Sequence, residues 1–156
     1  EGTPTQNIQL VTNGILTQLL HSEATARKFG VKPTGHAGLG AKVSVSPDWL
    51  VVRKSESEMD KDESLSIKNT IKEYILIDEL SAIHSGVKAS QGSFSLPFDG
   101  WIVNDGKKTS IEAATVAGDI LKVLSSIVKI EDEQIVTHQG ISPHVWVENI
   151  SITGEA

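Results

Sequence analysis

Two apolar runs, Asn7-Ile8-Gln9-Leu10-Val11-Thr12 and Ile15-Leu16-Thr17-Gln18-Leu19-Leu20, flank Asn13-Gly14. A type I′ turn needs positive φ at both central residues, which Asn-Gly adopts at little cost, so this pattern predicts a two-residue β-hairpin. Ser22 to Gly30 predicts a short helix. Ser22 can accept from orphan amides as N-cap, Arg27 and Lys28 occupy the last turn, and Gly30 suits the left-handed position beyond it. Residues 33–40 are glycine-rich and predict loop, while Val43 and Val45 alternate with polar neighbours up to Pro47. Trp49-Leu50-Val51-Val52-Arg53 predicts a short strand, apolar enough to be buried on both faces.

Residues 54–64 carry charge with almost nothing apolar and predict a solvated loop. Leu65, Ile67 and Ile71 then lie near one helical face, predicting a helix over 65–72. Tyr74-Ile75-Leu76-Ile77 predicts a strand running towards Leu80, and residues 84–92 read as loop. Phe94, Leu96 and Phe98 alternate at period two around Pro97, which lacks the ladder donor, so an edge strand or a bulged one is expected. Trp101-Ile102-Val103 continues it, Asn104-Asp105-Gly106 turns the chain, and Thr109-Ser110-Ile111 returns. From Thr115 the apolar spacing becomes helical through Val116, Ile120, Leu121, Leu124 and Ile127, predicting helix over most of 116–127. Residues 144–152 alternate again and predict a last strand. Strands and helices without regular βαβ alternation imply an α+β class. The expected fold is β-rich, a mostly antiparallel sheet or partly closed barrel with about three short helices.

Composition narrows the chemistry. The 156 residues carry a net charge of −6, which opposes a broad nucleic-acid surface and electrostatic docking on anionic lipid. No apolar run approaches the ~18–20 residues that cross a bilayer. The chain opens at Glu1 with no basic-then-apolar leader, and its methionine is Met59, so it reads as a fragment lacking an N-terminal part. There is no cysteine, which excludes disulfides and thiolate metal sites and is compatible with a reducing, cytoplasmic setting.

The histidines are His21, His36, His84, His138 and His144, none within an i, i+4 pair. Gly92-Ser93-Phe94-Ser95 lacks the second glycine of a nucleophile elbow. Gly35-His36-Ala37-Gly38-Leu39-Gly40 is neither a dinucleotide fingerprint nor a P-loop. Acidic pairs such as Asp78-Glu79 are consecutive, not set across a cleft. The residues therefore nominate no catalytic group and no metal ligand.

Four stretches carry a family resemblance: Glu1-Gly2-Thr3-Pro4-Thr5; Ala26 to Gly30 with Thr34-Gly35-His36-Ala37-Gly38; Gly92 to Ser95 with Gly100 to Gly106; and Ala117 to Leu121 with Ser142-Pro143 and Ile150 to Gly154. In that order and spacing they resemble the C-terminal domain of the TldD/PmbA family, also labelled modulators of DNA gyrase, over nearly the whole of residues 1–156. The resemblance implies a subunit of a two-component, zinc-dependent intracellular peptidase. In that family the zinc site uses a helix bearing His-Glu-x-x-x-His and a cysteine from the C-terminal domain. This chain has neither, and Thr34 to Gly38 is similar to the PmbA-like subunit, the partner without metal. The implied role is structural or chamber-forming, with zinc in a TldD-like partner, in a heterodimer or homodimer acting on unfolded peptide.

The residues themselves suggest that a β-rich domain with an irregular Gly-Ser-Phe-Ser edge can bind an extended peptide by strand addition. Gly92, Ser93, Phe94, Ser95 and Trp101 are the peptide-binding or interface candidates. Two alternatives stand beside this. Phe94, Phe98 and Trp101 can be core or subunit interface, and the protein can be a regulatory interaction module with no peptidase role. With no clustered ligands, the isolated chain is expected to hold no stoichiometric zinc after dialysis. Metal analysis finding about one tightly held zinc per chain overturns the non-metal assignment.

Overall fold

A computed structural model describes residues 1–55 and 71–155. The chain divides into two compact units, Glu1–Asp60 with Glu131–His144, and Lys61–Ile130 with Val145–Ala156. The predicted helix over 65–72 lies outside the described residues except for Ile71 and Lys72, which are not helical.

In the first unit, Asn13 (φ 49°) and Gly14 (φ 77°) form the predicted turn between β1 (Val11–Thr12) and β2 (Ile15–Leu16). The strands are shorter than the apolar runs suggested; beyond them the Thr17 amide donates to the Leu10 carbonyl and its hydroxyl reaches the Gln9 and Leu10 carbonyls. Helix α1 (Glu23–Phe29) follows the predicted caps. Ser22 and Thr25 form a reciprocal capping box, and Gly30 sits at φ 67°. The glycine-rich stretch contributes β3 (Ala37–Gly38), paired antiparallel with β4 (Ser44–Val45). The strand expected at 49–53 contracts to β5 (Leu50–Val51), and its apolar side chains are exposed instead of buried on both faces.

The second unit holds a five-stranded sheet in the order β12 (Ser151–Glu155), β9 (Lys107–Asp119), β8 (Ser93–Asn104), β6 (Glu73–Leu80), with β7 (Val87–Lys88) also pairing β8. Every pairing in it is antiparallel. Asp105 (φ 46°) and Gly106 (φ 80°) close the β8–β9 hairpin in a two-residue turn. One face carries the core, Leu96, Phe98, Ile111, Ala114 and Val116, with Ile77, Phe94, Ile102, Ile150 and Ile152 packed against it.

Strand β8 is central, not an edge. Pro97 is accommodated because its outward side falls where β6 ends and β7 has not begun: β6 pairs up to Leu80–Phe98 and β7 from Val87–Phe94. The Pro97 carbonyl still accepts from the Ser81 amide. Both flanking strands bulge beside Asp99. Asp78 is the extra residue in β6, and Glu112-Ala113 stand opposite Asp99 in β9, with Ala113 at φ 54°. Gly100 is required there, since a Cβ would overlap the Leu76 carbonyl.

The helix expected over 116–127 is α3 (Ile120–Ser125), following the single-turn α2 (Ile83–Gly86). Val116 belongs to β9 because strand pairing persists to Asp119. Asp119 then starts the helix by accepting from the Leu121 and Lys122 amides. The predicted last strand is two strands, β11 (Gly140–Val147) and β12, broken at Asn149 (φ 58°). Strand β10 (Ile127–Val136) and β5 both pair β11, β5 in parallel. The fold is therefore mostly antiparallel α+β with three short helices among the described residues, and its sheets remain open, not closed into a barrel.

Phe98 is 2% exposed at the centre of this core. Phe98→Ala is expected to cost about 3–5 kcal/mol in denaturant unfolding, through lost burial and the cavity left behind. The half-buried Trp101 should cost clearly less on the same substitution.

Candidate functional site

Of the candidates that the sequence nominates, Gly92 adopts φ 69° in the turn before β8, and its carbonyl accepts from the Ile120 amide. Ser93 pairs with Lys88 and Asp119, and Phe94 with Val87 and Gly118. The Gly-Ser-Phe-Ser segment is therefore not an edge at Ser93 and Phe94, where strands flank it on both sides. Among the described residues the outer strands of this sheet are β6, β7 and β12. The sequence misplaces the edge because Pro97 announces a missing donor without showing which neighbour is interrupted.

Phe94 and Trp101 are an odd number of residues apart on one strand and lie on opposite faces. Phe94 packs against the core, whereas Trp101 stands opposite Leu76, and its Nε1 donates to Asp78 Oδ2 at 2.6 Å. Tyr74, opposite the buried Val103, meets the Trp146 ring edge-on, with centroids 4.9 Å apart. The face away from the core thus carries an aromatic row beside the outer strand β6. Sequence reasoning nominated Trp101 but had no signal for its partner Asp78, which is the extra residue of a bulge. A recess of about 300 Å³ lies at the start of α3, lined in part by Asp119, Lys122, Asn149 and Ser151. Asp119 is committed there to capping the helix.

Two of the four motif stretches meet in the first unit. Glu1 Oε2 accepts from the Glu23 amide at 2.9 Å, so the first residue helps cap α1. Thr3 Oγ1 donates to Glu23 Oε1 at 2.6 Å, Thr5 Oγ1 to the Gly35 carbonyl at 3.0 Å, and the Gln6 amide to the Thr34 carbonyl at 3.2 Å. Gly35, at φ 75°, has no room for a Cβ against the Pro4 carbonyl and Thr5 Cα. Beneath this strap lie Ser22, Thr34 and His36, the buried polar residues among those described. Thr34 Oγ1 accepts the His21 amide at 2.8 Å and stands 2.9 Å from His36 Nδ1.

The donors present do not suit the zinc that the family resemblance implies. The chain has no cysteine, and no three His, Asp or Glu side chains converge among the described residues. His36 is tied to Thr34, and His21 lies against Thr25 and the Phe29 ring. No helix among the described residues is long and apolar enough to cross a membrane.

The family model of the PmbA/TldA metallopeptidase C-terminal domain matches residues 1–154. The chain is 29% identical over 137 residues to "Metalloprotease PmbA" of Escherichia coli O157:H7, covering 85% of this chain and 27% of that protein. It resembles a crystal structure from Thermotoga maritima, titled as a modulator of a DNA gyrase, at 31% identity and a TM-score of 0.77. That match covers 97% of this chain and 34% of the other. The fold also matches TldE from Thermococcus kodakarensis at a TM-score of 0.77 and 21% identity, over 98% of this chain and 35% of that one. The chain thus spans about a third of the length of these relatives.

Gly35→Ala combines a left-handed φ with a backbone overlap, so it is expected to destabilise the first unit by more than about 1 kcal/mol. Faster amide exchange at Gln6 and Thr34 is the measurement. Asp78→Ala should speed exchange of the Trp101 indole proton while changing stability by at most about 1 kcal/mol, since the pair is exposed.

Proposed function

The chain belongs to the PmbA/TldA metallopeptidase family, matching its C-terminal domain, and we propose that it serves as that domain in a PmbA-like subunit of a two-component, zinc-dependent intracellular peptidase. Its role is to form part of the surface that holds an unfolded peptide. The zinc and the bond-breaking chemistry belong to a TldD-like partner subunit. Residues 1–156 then form one domain of a longer polypeptide working in the cytoplasm.

The observation that carries this reading is the outer strand β6 with the aromatic row beside it. An outer strand offers backbone donors and acceptors that an extended peptide can pair with whatever its side chains. A protein acting on unfolded chains needs that indifference to sequence. Trp101, held by Asp78, and Tyr74, against Trp146, supply apolar contact next to the paired backbone. The strand-addition site is thereby assigned to β6 in place of the Gly92–Ser95 segment, and Trp101 is the one sequence candidate that keeps a place in it.

A second reading, a regulatory interaction module, is favoured by exposed apolar side chains on α3, where Leu121 is 71% exposed. Reconstitution separates the two. Under the peptidase reading, the full-length protein co-purifies with a metal-bearing TldD-like subunit and raises its cleavage of unfolded peptides. Activity from this protein alone, or undiminished activity of the TldD-like subunit without it, rejects that reading. Trp101→Glu is expected to reduce assembly or cleavage at least several-fold while the domain stays folded. If it only lowers stability, Trp101 serves packing.

A further inference from the structure

Strands β1 and β2 form a sheet of their own, and no other strand pairs with it among the described residues. Val11 stands opposite Leu16, and Thr12 opposite Ile15. Opposed residues share a face and successive residues alternate, so Val11 and Leu16 lie on one face of the ribbon and Ile15 on the other. Val11 is 53% exposed, Leu16 63% and Ile15 67%. Both faces of the ribbon are thus apolar and bare. An isolated two-stranded ribbon is at best marginally stable in water; packing of an apolar face against something else is what makes one persist. The first unit holds little to pack it on, since none of its Val, Leu, Ile, Phe or Trp side chains is buried among the described residues.

What covers the ribbon follows from the length of the relatives and from where Glu1 is held. The chain spans about a third of their length and matches the C-terminal domain of the family. On the reading that it is one domain of a longer polypeptide, roughly 300 residues precede Glu1, enough for a body about 50 Å across. Glu1 is fixed on the first unit, where its carboxylate accepts from the Glu23 amide. The stretch from Glu1 to Val11 spans at most about 36 Å when fully extended, so a body entering at Glu1 reaches the ribbon. Domains fold N-terminal first during synthesis, so that body is already present when the ribbon emerges. A short tether then holds it at an effective concentration in the ~mM range, where a few apolar side chains suffice for a lasting contact. A separate subunit would leave the ribbon bare until the two met.

We propose that the β1–β2 ribbon docks on the part of the same polypeptide that precedes Glu1, fastening the C-terminal domain to the body before it. The inference rests on the longer polypeptide proposed above and needs neither the peptide-holding role nor the metal-bearing partner. Val11 and Leu16 supply one apolar face and Ile15 the other, so the ribbon is suited to a groove that contacts both.

The test places a photoreactive benzoylphenylalanine at position 15 of the full-length protein, in exchange for Ile15. Equal amounts of light and heavy-isotope protein are mixed before illumination, and the cross-linked peptides are mapped by mass spectrometry. Cross-links to residues before Glu1, each within a single isotope class, are expected. Mixed light–heavy cross-links mean that a second copy covers the ribbon, and cross-links that form only after a TldD-like subunit is added mean that the partner does. Either result overturns the proposal, as does the absence of any cross-link. A protease site inserted before Glu1 gives a second readout. After cutting, the two pieces should stay together through size exclusion, and Ile15→Glu with Leu16→Glu should weaken their association by about tenfold or more. Association unchanged in that double variant also overturns the docking; if the variant does not fold, the cross-links decide. A natural polypeptide whose intact mass is close to that of residues 1–156 alone rejects the longer chain itself, and the proposal with it.

Discussion

Strand β8 is the member on which the second unit depends. It is paired along its length with β9 and, on its other side, with β6 and then β7. Its alternate residues Leu96 and Phe98 anchor the core on one face, while Trp101 and Val103 serve the other. Few strands in an antiparallel sheet are apolar on both faces, since one usually faces water. Here the double demand is met by a strand carrying a proline and a glycine at the two places where its neighbours leave room or press close. The hand-over from β6 to β7 accommodates Pro97, and the approach of the Leu76 carbonyl requires Gly100.

The first unit is organised on a different principle. Among the described residues its buried side chains are Ala26, the polar Ser22, Thr34 and His36, and Pro143 in its second segment. Directional hydrogen bonds from Glu1, Thr3, Thr5 and Gln6 join segments far apart in sequence. Such a network is worth little per bond, but its directional geometry fixes which segments meet. Specificity of arrangement, not buried apolar area, is what this unit gains from its motif residues.

Local chemistry made much of this legible. Asn13-Gly14, Ser22 with Gly30, and Asp105-Gly106 each dictate their own turn or cap, and each is found as the residues imply. Elements decided by tertiary pairing were not legible. Val116 has helical spacing to Ile120, yet β8 and β12 hold it in a strand. The apolar run at 49–53 looked like core, yet it forms a two-residue parallel contact with its side chains exposed. Of the site candidates, Trp101 was nominated from its residue type, whereas its partner Asp78 was not, because their contact forms at a bulge.

The Asp105-Gly106 turn also bears on the order in which the polypeptide organises itself. Strands β8 and β9 are sequence neighbours joined by two residues, so their ladder can zip from the turn with little loop-closure entropy, on the ~1–10 μs scale of hairpin formation. The ladder between β9 and β12, by contrast, joins Val116 to Ile152 across the whole of α3, β10 and β11. During synthesis the hairpin therefore emerges complete well before Ile150 and Ile152 exist to seal its core face. For that interval β9 is itself an unpaired border, and a ribosome-bound intermediate is most exposed to capture by chaperones there.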